Sequence, residues 1–390
     1  MRSLYLFQSK PLATSVTSWQ NRKAVLSRIW FIMIIPFCAN FASAQTISSS
    51  GGGTGNWNDP ASWTGGVPTN ANSTLVQILS GHTITVTATP TMIDQFFVRT
   101  GGTLIINAGV NLPLNNGTGD DLTVETGAVL TNNGTLTLPV SVLSRVQING
   151  TVNNNGIFAA TTSTKLRFNA GSTYSHVFTD GGAIPVATWD VTSTTQIVGY
   201  IAGSATSPTG LNQNFGDFIW DCPAQDSEFD LGGQPATVQG DFIVDDTGTG
   251  DIIWNAGSGG NTDLSVGTDP AGGNLEVHNN SIFIFLIGVG SPGSLSVNGD
   301  ISLAGSTVYF TDTDDISITC GTTLMGDKFE HISGDLDFSL TSGIVTFSLL
   351  GDFTNAGGTI ASSGGPTTIS FDDGTNPQII TNTFIVGGVI

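Results

Sequence analysis

Basic residues are scarce in this sequence, which has 10 Lys and Arg against 30 Asp and Glu. The first 44 residues hold five of the ten basic residues and no acidic one, so the rest of the chain carries a net charge of −25. That part keeps the following basic residues: Arg99, Arg145, Lys165, Arg167 and Lys328. So acidic a chain is repelled by phosphate, which argues against nucleic acid and anionic membranes as partners. Uncharged glycans, cations and other proteins stay open as partners.

Cysteine is also rare, with three in 390 residues. Cys38 falls in the N-terminal segment, which leaves Cys222 and Cys320 far apart in sequence. Two cysteines cannot build the framework of bridges that stabilises small secreted domains. They form either one disulfide or two buried free thiols, and a metal site needs more ligands than these. The fold must therefore be stabilised by other means.

The apolar run Ile29–Phe37 is far shorter than the roughly 20 residues that a membrane-spanning helix needs, and Pro36 interrupts it. Basic residues precede this run, and a triplet of small residues ends at Ala44. This order is typical of a secretory signal peptide. We predict a signal peptide over residues 1–44, with cleavage between Ala44 and Gln45. The protein would then be secreted, extracellular or at the cell surface, and not an integral membrane protein.

Helical periodicity of useful length is missing too, and a short strand phrase recurs in its place. The phrase is a glycine, one small or polar residue, then alternating apolar residues, closed by an Asn- or Gly-rich turn. It begins at Gly102, Gly127, Gly134, Gly150 and Gly156, and a Gly-Asp variant begins at Gly240, Gly299, Gly334 and Gly351. Recurrence of one strand-and-turn unit is typical of stacked β-coils.

The spacing of the phrase separates the all-β architectures. Gly102 and Gly127 lie 25 residues apart, and Gly216 and Gly240 lie 24 apart. A solenoid repeat has about 20–29 residues, whereas a propeller blade has about 40. We therefore predict an all-β parallel β-helix, or β-solenoid, of roughly 15 coils spaced by about 4.8 Å. An array of β-sandwich domains is the alternative.

Differences in composition and in repeat length divide the chain into sections. After the signal peptide we predict an N-terminal cap with a Trp/Pro motif (45–100), regular solenoid repeats (101–180) and longer solenoid repeats (181–390). Asn-Gly pairs at Asn116, Asn133 and Asn149 predict turns with positive φ. The apolar segment Phe384–Ile390 has no polar cap, so we expect the chain to be truncated at its C-terminus.

Two segments carry a resemblance to known proteins. The first reads NWNDPASWTGGVP from Asn56 to Pro68 and is followed by GHTITV from Gly81. It resembles the opening of the domain named for its eight glycines, with which many large surface proteins of Bacteroidetes begin. Residues Gly182–Gln225 resemble a unit that recurs in the same proteins. The resemblance implies a β-helical cargo of the type nine secretion system at the outer membrane, an adhesin or a scaffold beside glycan-active modules, with no catalytic residues to carry over.

Two kinds of residue are candidates for binding. Trp57 and Trp63, six positions apart around Pro60, would share one side of a strand and form either a platform for sugar rings or a plug over the first coil. Acidic clusters in predicted turns offer oxygen ligands to calcium, although none has the spacing of a known calcium loop. These weak metal candidates are Asp245, Asp246, Asp251, Asp312, Asp314 and Asp315.

Catalytic residues are harder to assign. A lyase would need a base and a cation, and Arg145, Lys165, Arg167 and His176 form the one such cluster. Lys165 and Arg167 would share a strand face. Salt-bridged surface residues are the alternative interpretation. A glycoside hydrolase needs two carboxylates across the sugar ring, but the four glutamates are scattered.

We therefore predict a secreted adhesin-like or structural cell-surface β-solenoid without catalytic activity of its own. The rival hypotheses are a β-helical polysaccharide-degrading enzyme, either lyase or glycoside hydrolase, and a calcium-dependent glycan-binding module. The expected partners are polysaccharides or other surface proteins, and calcium is the one cofactor left open.

Overall fold

The computed structural model describes residues 45–390 except 142, 202–205, 258–260, 289, 322–326, 372–377 and 383–390. The predicted signal peptide and the apolar segment Phe384–Ile390 lie outside the described residues. The described residues belong to one compact unit.

Almost all regular structure in that unit is β-strand, beside one 3-10 turn at Pro60–Ser62. The strands are β1 (Gln45–Ser48), β2 (Thr54–Asn56), β3 (Ser73–Ile78), β4 (Thr83–Val86), β5 (Phe96–Val98), β6 (Thr103–Ile106), β7 (Asn111–Pro113), β8 (Leu122–Val124), β9 (Val129–Asn132), β10 (Thr135–Thr137), β11 (Val146–Ile148), β12 (Thr151–Asn154), β13 (Ile157–Ala159), β14 (Leu166–Phe168), β15 (Thr173–His176), β16 (Thr188–Trp189), β17 (Thr194–Ile197), β18 (Asp217–Asp221), β19 (Phe229–Asp230), β20 (Thr237–Val238), β21 (Phe242–Asp246), β22 (Asp251–Asn255), β23 (Asp263–Val266), β24 (Leu275–His278), β25 (Ile282–Leu286), β26 (Gly293–Val297), β27 (Ile301–Thr311), β28 (Ile316–Cys320), β29 (Lys328–Ser339), β30 (Val345–Leu349), β31 (Asp352–Asn355), β32 (Thr359–Ala361), β33 (Thr367–Phe371) and β34 (Ile380–Asn382).

These strands pair in parallel with their counterparts one turn later, so the chain winds into a solenoid of about 13 turns. The turn from Thr83 to Thr103 takes 20 residues, and the turn from Phe242 to Leu275 takes 33. The predicted parallel β-solenoid is confirmed, and the sandwich array does not form. With about 4.8 Å between strands, such a stack extends roughly 60 Å.

The turns stack into continuous sheets. The long sheet, as we call it, runs β2-β4-β6-β9-β12-β15-β17-β18-β21-β24-β27-β29-β31-β34. A first sheet, β1-β3-β5-β8-β11-β14-β16, resumes after a gap as β20-β23-β26-β28-β30-β33. A third wall is formed by β7-β10-β13 and, in later turns, by β19-β22-β25-β27-β29-β32. The long strands β27 and β29 thus belong to two walls.

The core is a column of apolar side chains inside the turns. Strand alternation sends every second residue of the long sheet inward, where each lies on its counterpart in the next turn. One such column contains Ile84, Leu104, Leu130, Val152, Tyr174, Thr195, Phe218, Phe242, Leu275, Ile301, Phe329 and Phe353, all of them buried. Each large apolar member contributes about 1.5–3 kcal/mol through burial.

The glycines of the Asn-Gly pairs leave space for the neighbouring turn and do not provide an unusual backbone angle. None of the three Asn-Gly pairs, at Asn116, Asn133 and Asn149, has a residue with positive φ, so that prediction is wrong for all three. A Cβ at Gly134 would lie 2.3 Å from the Val110 carbonyl oxygen, and one at Gly150 would lie 2.4 Å from that of Ala128. The turns therefore need glycine here because one turn lies directly against the one before.

Residues 45–100 consist of solenoid turns themselves. Strands β3 and β5 pair onward to β8, and β4 pairs onward to β6, without a break near residue 100. The predicted cap is therefore continuous with the repeats that follow. A real change comes later, because the third wall of early turns ends with β13 and the first sheet is interrupted after β16.

Candidate functional site

Trp57 and Trp63 pack into the core of the first turn. A 3-10 turn beginning at Pro60 lies between them, and the Asp59 carboxylate caps it by accepting from the backbone N–H of Ala61 at 2.9 Å. That turn, and not strand alternation, brings the ring centroids to 5.0 Å with the planes at 69°. The Trp63 indole N–H donates to the Trp57 carbonyl at 2.8 Å, and the residues are 4% and 0% exposed. Of the two alternatives, the burial of both rings fits a plug over the first coil and not a sugar platform, because neither ring face is open to a ligand.

The first aspartate cluster is engaged in local contacts. Asp245 Oδ1 accepts from the Asn279 side-chain amide at 3.0 Å and lies 3.3 Å from His278 Nδ1. Asp246 accepts from the backbone N–H of Gly248 at 2.8 Å. Asp251 begins β22, and burial raises its pKa. These carboxylates shape turns and strand ends.

The second aspartate cluster joins neighbouring turns of the solenoid. The Asp312 carbonyl accepts from the backbone N–H of Thr341 at 3.2 Å. The Asp314 and Asp315 carboxylates accept from the backbone N–H groups of Gly290 and Ile344, at 2.8 and 3.0 Å. Among the described residues, no three His, Cys, Asp or Glu side chains are grouped so that they could hold a metal ion. Calcium binding by either cluster stays a prediction.

The basic cluster does not assemble. Lys165 lies in the turn before β14, and its Nζ donates a hydrogen bond to the Pro139 carbonyl at 2.9 Å. Arg167 is exposed on the outer side of β14. The shared face predicted for this pair is wrong, because the strand begins only at Leu166. Arg145 is exposed, and none of the three forms an ion pair with a described residue.

His176 lies inside the solenoid at the end of a chain of buried polar groups. Asn132, Asn154 and His176 stand in register on successive strands. Asn132 donates to Asn154 at 2.8 Å, and Asn154 donates to the Tyr174 hydroxyl at 3.0 Å. The Tyr174 hydroxyl lies 3.2 Å from His176 Nδ1, and His176 Nε2 lies 3.0 Å from the Gly181 carbonyl oxygen. A carbonyl only accepts, so Nε2 carries the proton and Nδ1 accepts from Tyr174. We call these four side chains the interior polar chain.

Burial lowers the pKa of His176 to about 4, although the Gly181 carbonyl works in the opposite direction. The imidazole is therefore neutral at pH 7, and its ring lies stacked on Phe178 at 4.5 Å. Burial likewise raises the pKa of the Tyr174 hydroxyl, so it stays protonated. These groups stabilise the interior and have no access to a substrate.

Both remaining cysteines are free and buried. Burial raises the pKa of the Cys222 thiol to about 12 and raises that of Cys320 as well. Each thiol points at a backbone carbonyl, Cys222 at Ile197 and Cys320 at Gly299. Of the two alternatives left open by the sequence, the structure has free thiols, and they are unreactive as nucleophiles at neutral pH.

The outer side of the long sheet has an unusual surface over its first seven strands, β2 to β17. Two parallel rows of short side chains point outward there, and neither contains a charge; we call them the uncharged face. The first row is Thr54, Thr83, Thr103, Val129, Thr151, Thr173 and Thr194, and the second is Asn56, Thr85, Ile105, Thr131, Asn153, Ser175 and Gln196. Ser175 is the one buried member of these rows, and its hydroxyl accepts from the Gln196 side-chain amide at 2.6 Å. The uncharged face was not predicted from the sequence. A threonine that recurs after a turn glycine or serine pointed to it, but because the turns differ in length, the sequence alone did not show that these threonines align on neighbouring strands.

The same side of the long sheet changes character at β18. From there on the outward residues include charges, which we call the charged face: Asp217, Asp221, Asp245, Glu276, His278, Lys328, Glu330 and Asp352. His278 lies 3.3 Å from both Asp245 and Glu276, and Lys328 forms an ion pair with Glu330 at 2.5 Å. Burial, together with the charges of Asp245 and Asp246, raises the pKa of Asp221.

Comparisons with known proteins add nothing to this geometry, since no family model, curated protein or solved structure matches the chain. In the part of the chain that the structure describes, no helix is long and apolar enough to cross a membrane.

Proposed function

We propose that this protein is a secreted adhesin-like or structural β-solenoid of the cell surface, with no catalytic activity of its own. The observation that carries the proposal is the uncharged face, a regular surface that crosses seven strands of one sheet. A repeating surface of this kind suits contact with an extended partner. Secretion is supported by the sequence of residues 1–44, and attachment to a bacterial surface by the resemblance at Asn56–Pro68.

The groups that an enzyme would use are engaged elsewhere. His176 is buried and neutral, Lys165 is bonded to a backbone carbonyl, and the thiols are buried with raised pKa values. The Asp314 and Asp315 carboxylates accept hydrogen bonds from the backbone of neighbouring turns. A hydrolase or lyase needs such groups at a surface that substrate can reach.

Incubation of the full chain with plant and algal polysaccharides tests this function. The proposal predicts no new reducing ends and no unsaturated sugars above the background of a heat-denatured sample. It also predicts that beads coated with the protein adhere to a polysaccharide film and that heat-denatured protein on the same beads does not. Product release that scales with enzyme concentration would replace the proposal with a degradative enzyme.

A further inference from the structure

We infer that the uncharged face is a binding site for the flat surface of a neutral, insoluble polysaccharide. The inference rests on the proposed adhesin-like function and names its ligand class. It commits to one region, β2 to β17 of the long sheet, and to one occupant.

Charge is the first argument. The whole chain has a net charge of −20 at pH 7, yet fourteen outward positions on seven neighbouring strands carry no charge at all. The next strands of the same sheet carry Asp217, Asp221 and Asp245 on that side. Burial of an unpaired charge against a ligand is costly, whereas hydroxyls and amides exchange water for sugar hydroxyls at little net cost. The uncharged face therefore suits a partner that is itself neutral.

The hydroxyl groups of the first row are available for that exchange. Thr83, Thr103, Thr151 and Thr173 are partly exposed, and their hydroxyls take no part in the hydrogen bonds found among the described residues. Each hydroxyl both donates and accepts, as a sugar hydroxyl does. Threonine is stiff at χ1, so the rows are ordered before the ligand arrives and lose little entropy on binding.

Repetition is the second argument. Neighbouring strands lie about 4.8 Å apart and alternate residues about 7 Å apart, so the two rows form a regular grid roughly 29 Å long. Each single contact is weak, and useful affinity requires many at once. A ligand that engages the whole grid must itself be extended and must repeat its hydroxyl groups over that length. A polysaccharide surface meets both conditions.

An ice surface is another regular array of hydroxyl groups, but the mixed composition of the second row favours a polysaccharide as the ligand. Asn56 and Asn153 offer amide donors and acceptors, whereas Thr85 and Thr131 offer hydroxyls. An ice lattice repeats one group at one spacing and would match a row of identical side chains. Ile105 and Val129 place apolar contacts within the grid, and these suit the C–H faces of sugar rings.

The test measures retention of the full chain on microcrystalline cellulose, on crystalline chitin and, as a charged comparison, on calcium-free alginate gel. The test variant is Thr103→Lys with Thr151→Lys, which places two cations on the uncharged face with one strand between them. Its matched control is Ser296→Lys with Ser348→Lys, two partly exposed positions on the first sheet that are also separated by one strand. A third variant, Thr103→Val with Thr151→Val and Thr173→Val, keeps the side-chain shape and removes only hydroxyls.

We expect retention on cellulose or chitin, a loss of at least tenfold in affinity with the lysine pair, and a loss of about threefold or more with the valine triple. The control pair should bind within twofold of the parent chain, and melting curves should show all variants folded. The inference would be overturned if the protein were not retained on either neutral polymer or were retained on alginate alone. Equal loss of affinity in the two lysine pairs, or adsorption to ice without retention on polysaccharide, would overturn it as well. Retention that survives the lysine pair would leave an adhesin that binds through another surface. Product release in the incubation described above would instead remove the proposed function itself.

Discussion

The first seven strands of the long sheet and the strands that follow share one backbone ladder but have different outer surfaces. Thr83, Thr103 and Thr151 stand in register on the uncharged face, whereas Asp217, Asp245 and Glu276 occupy the outward positions later in the same sheet. Parallel pairing and inward alternation continue across the boundary from β17 to β18. Packing between turns therefore constrains the inward residues of a solenoid strictly, whereas its outward residues can vary with function.

The interiors of the two regions combine buried hydrogen bonds with stacked rings. In the first region the interior polar chain joins amide, hydroxyl and imidazole groups, and Phe168 lies on Trp189 with centroids 4.2 Å apart and planes at 7°. In the second region Phe218 lies on Phe242 at 5.5 Å and 10°, and Nδ1 of the buried His331 lies 3.0 Å from Asn355 Oδ1. Loss of volume, acid and loss of a single hydroxyl therefore test different groups of this interior.

The largest expected effect is the loss of stability when a stacked aromatic ring is removed from the interior. Phe242→Ala should lower the free energy of unfolding by about 3–5 kcal/mol, because Phe242 is fully buried between Phe218 and Phe283 and the neighbouring turns cannot close the cavity. The outward neighbour Ile243, replaced by Ala, is the matched control and should cost much less. Urea unfolding followed by circular dichroism measures both, and equal losses would contradict the account of this interior.

The next effect tests the buried imidazole of the interior polar chain by pH. The pKa of His176 is lowered to about 4 in the fold and is about 6.5 when unfolded, so the unfolded chain binds the extra proton first. Stability from this residue is complete above pH 6.5 and is lost as the pH falls towards 4, up to about 3 kcal/mol. His176→Asn, which matches Asn154 in the preceding turn, should abolish this loss. Unfolding at pH 7 and pH 4.5 tests it, and an unchanged pH dependence in the variant would count against the buried neutral imidazole.

A smaller effect tests whether the interior polar chain is fully satisfied. Tyr174→Phe removes one hydroxyl and leaves the Asn154 amide and His176 Nδ1 without that partner, which should cost about 1–3 kcal/mol. Tyr309→Phe, at a partly exposed position of β27, is the control and should change stability by less than about 0.5 kcal/mol. Melting curves of the two variants give the comparison. Equal shifts would mean that the chain of hydrogen bonds contributes nothing.

The smallest effect has the opposite sign to that of His176. The pKa of Asp221 is raised by burial and by Asp245 and Asp246, so the folded state holds a proton that the unfolded state has released. Its contribution to stability therefore grows as the pH falls through the raised pKa towards 3.8. Asp221→Asn should stabilise the protein at pH 7 by less than about 0.5 kcal/mol and flatten that rise. A destabilised variant at pH 7 would show that the carboxylate is favourably paired.

The sequence predicts the fold well because the turn glycines recur at the spacing of a coil. Gly134 and Gly150 mark places where one turn lies against the next, and any larger residue would collide with a carbonyl oxygen. The surface could not be predicted in the same way. Turn lengths vary from 20 residues after Thr83 to 33 after Phe242, so the alignment of outward residues across strands depends on a register that local patterns do not encode.

The predictions about two pairs of candidate site residues were wrong for a related reason. Spacing along one strand placed Trp57 and Trp63 on one strand face and Lys165 and Arg167 on another, but a 3-10 turn and a strand boundary intervene. Burial then decides the outcome, since packing between turns removes both indole rings from solvent. Such contacts arise between residues 20 to 30 positions apart, beyond the reach of a strand-by-strand reading.

The most direct test of the account is hydroxyl-radical footprinting of the full chain with and without crystalline polysaccharide. Ile105 lies on the uncharged face, and Ile219 and Ile243 occupy outward positions on the charged half of the same sheet, all three partly exposed. The account predicts that the polysaccharide protects Ile105 and Val129 from oxidation severalfold and leaves Ile219 and Ile243 unchanged. Protection of Ile219 and Ile243 with Ile105 fully oxidised would contradict it.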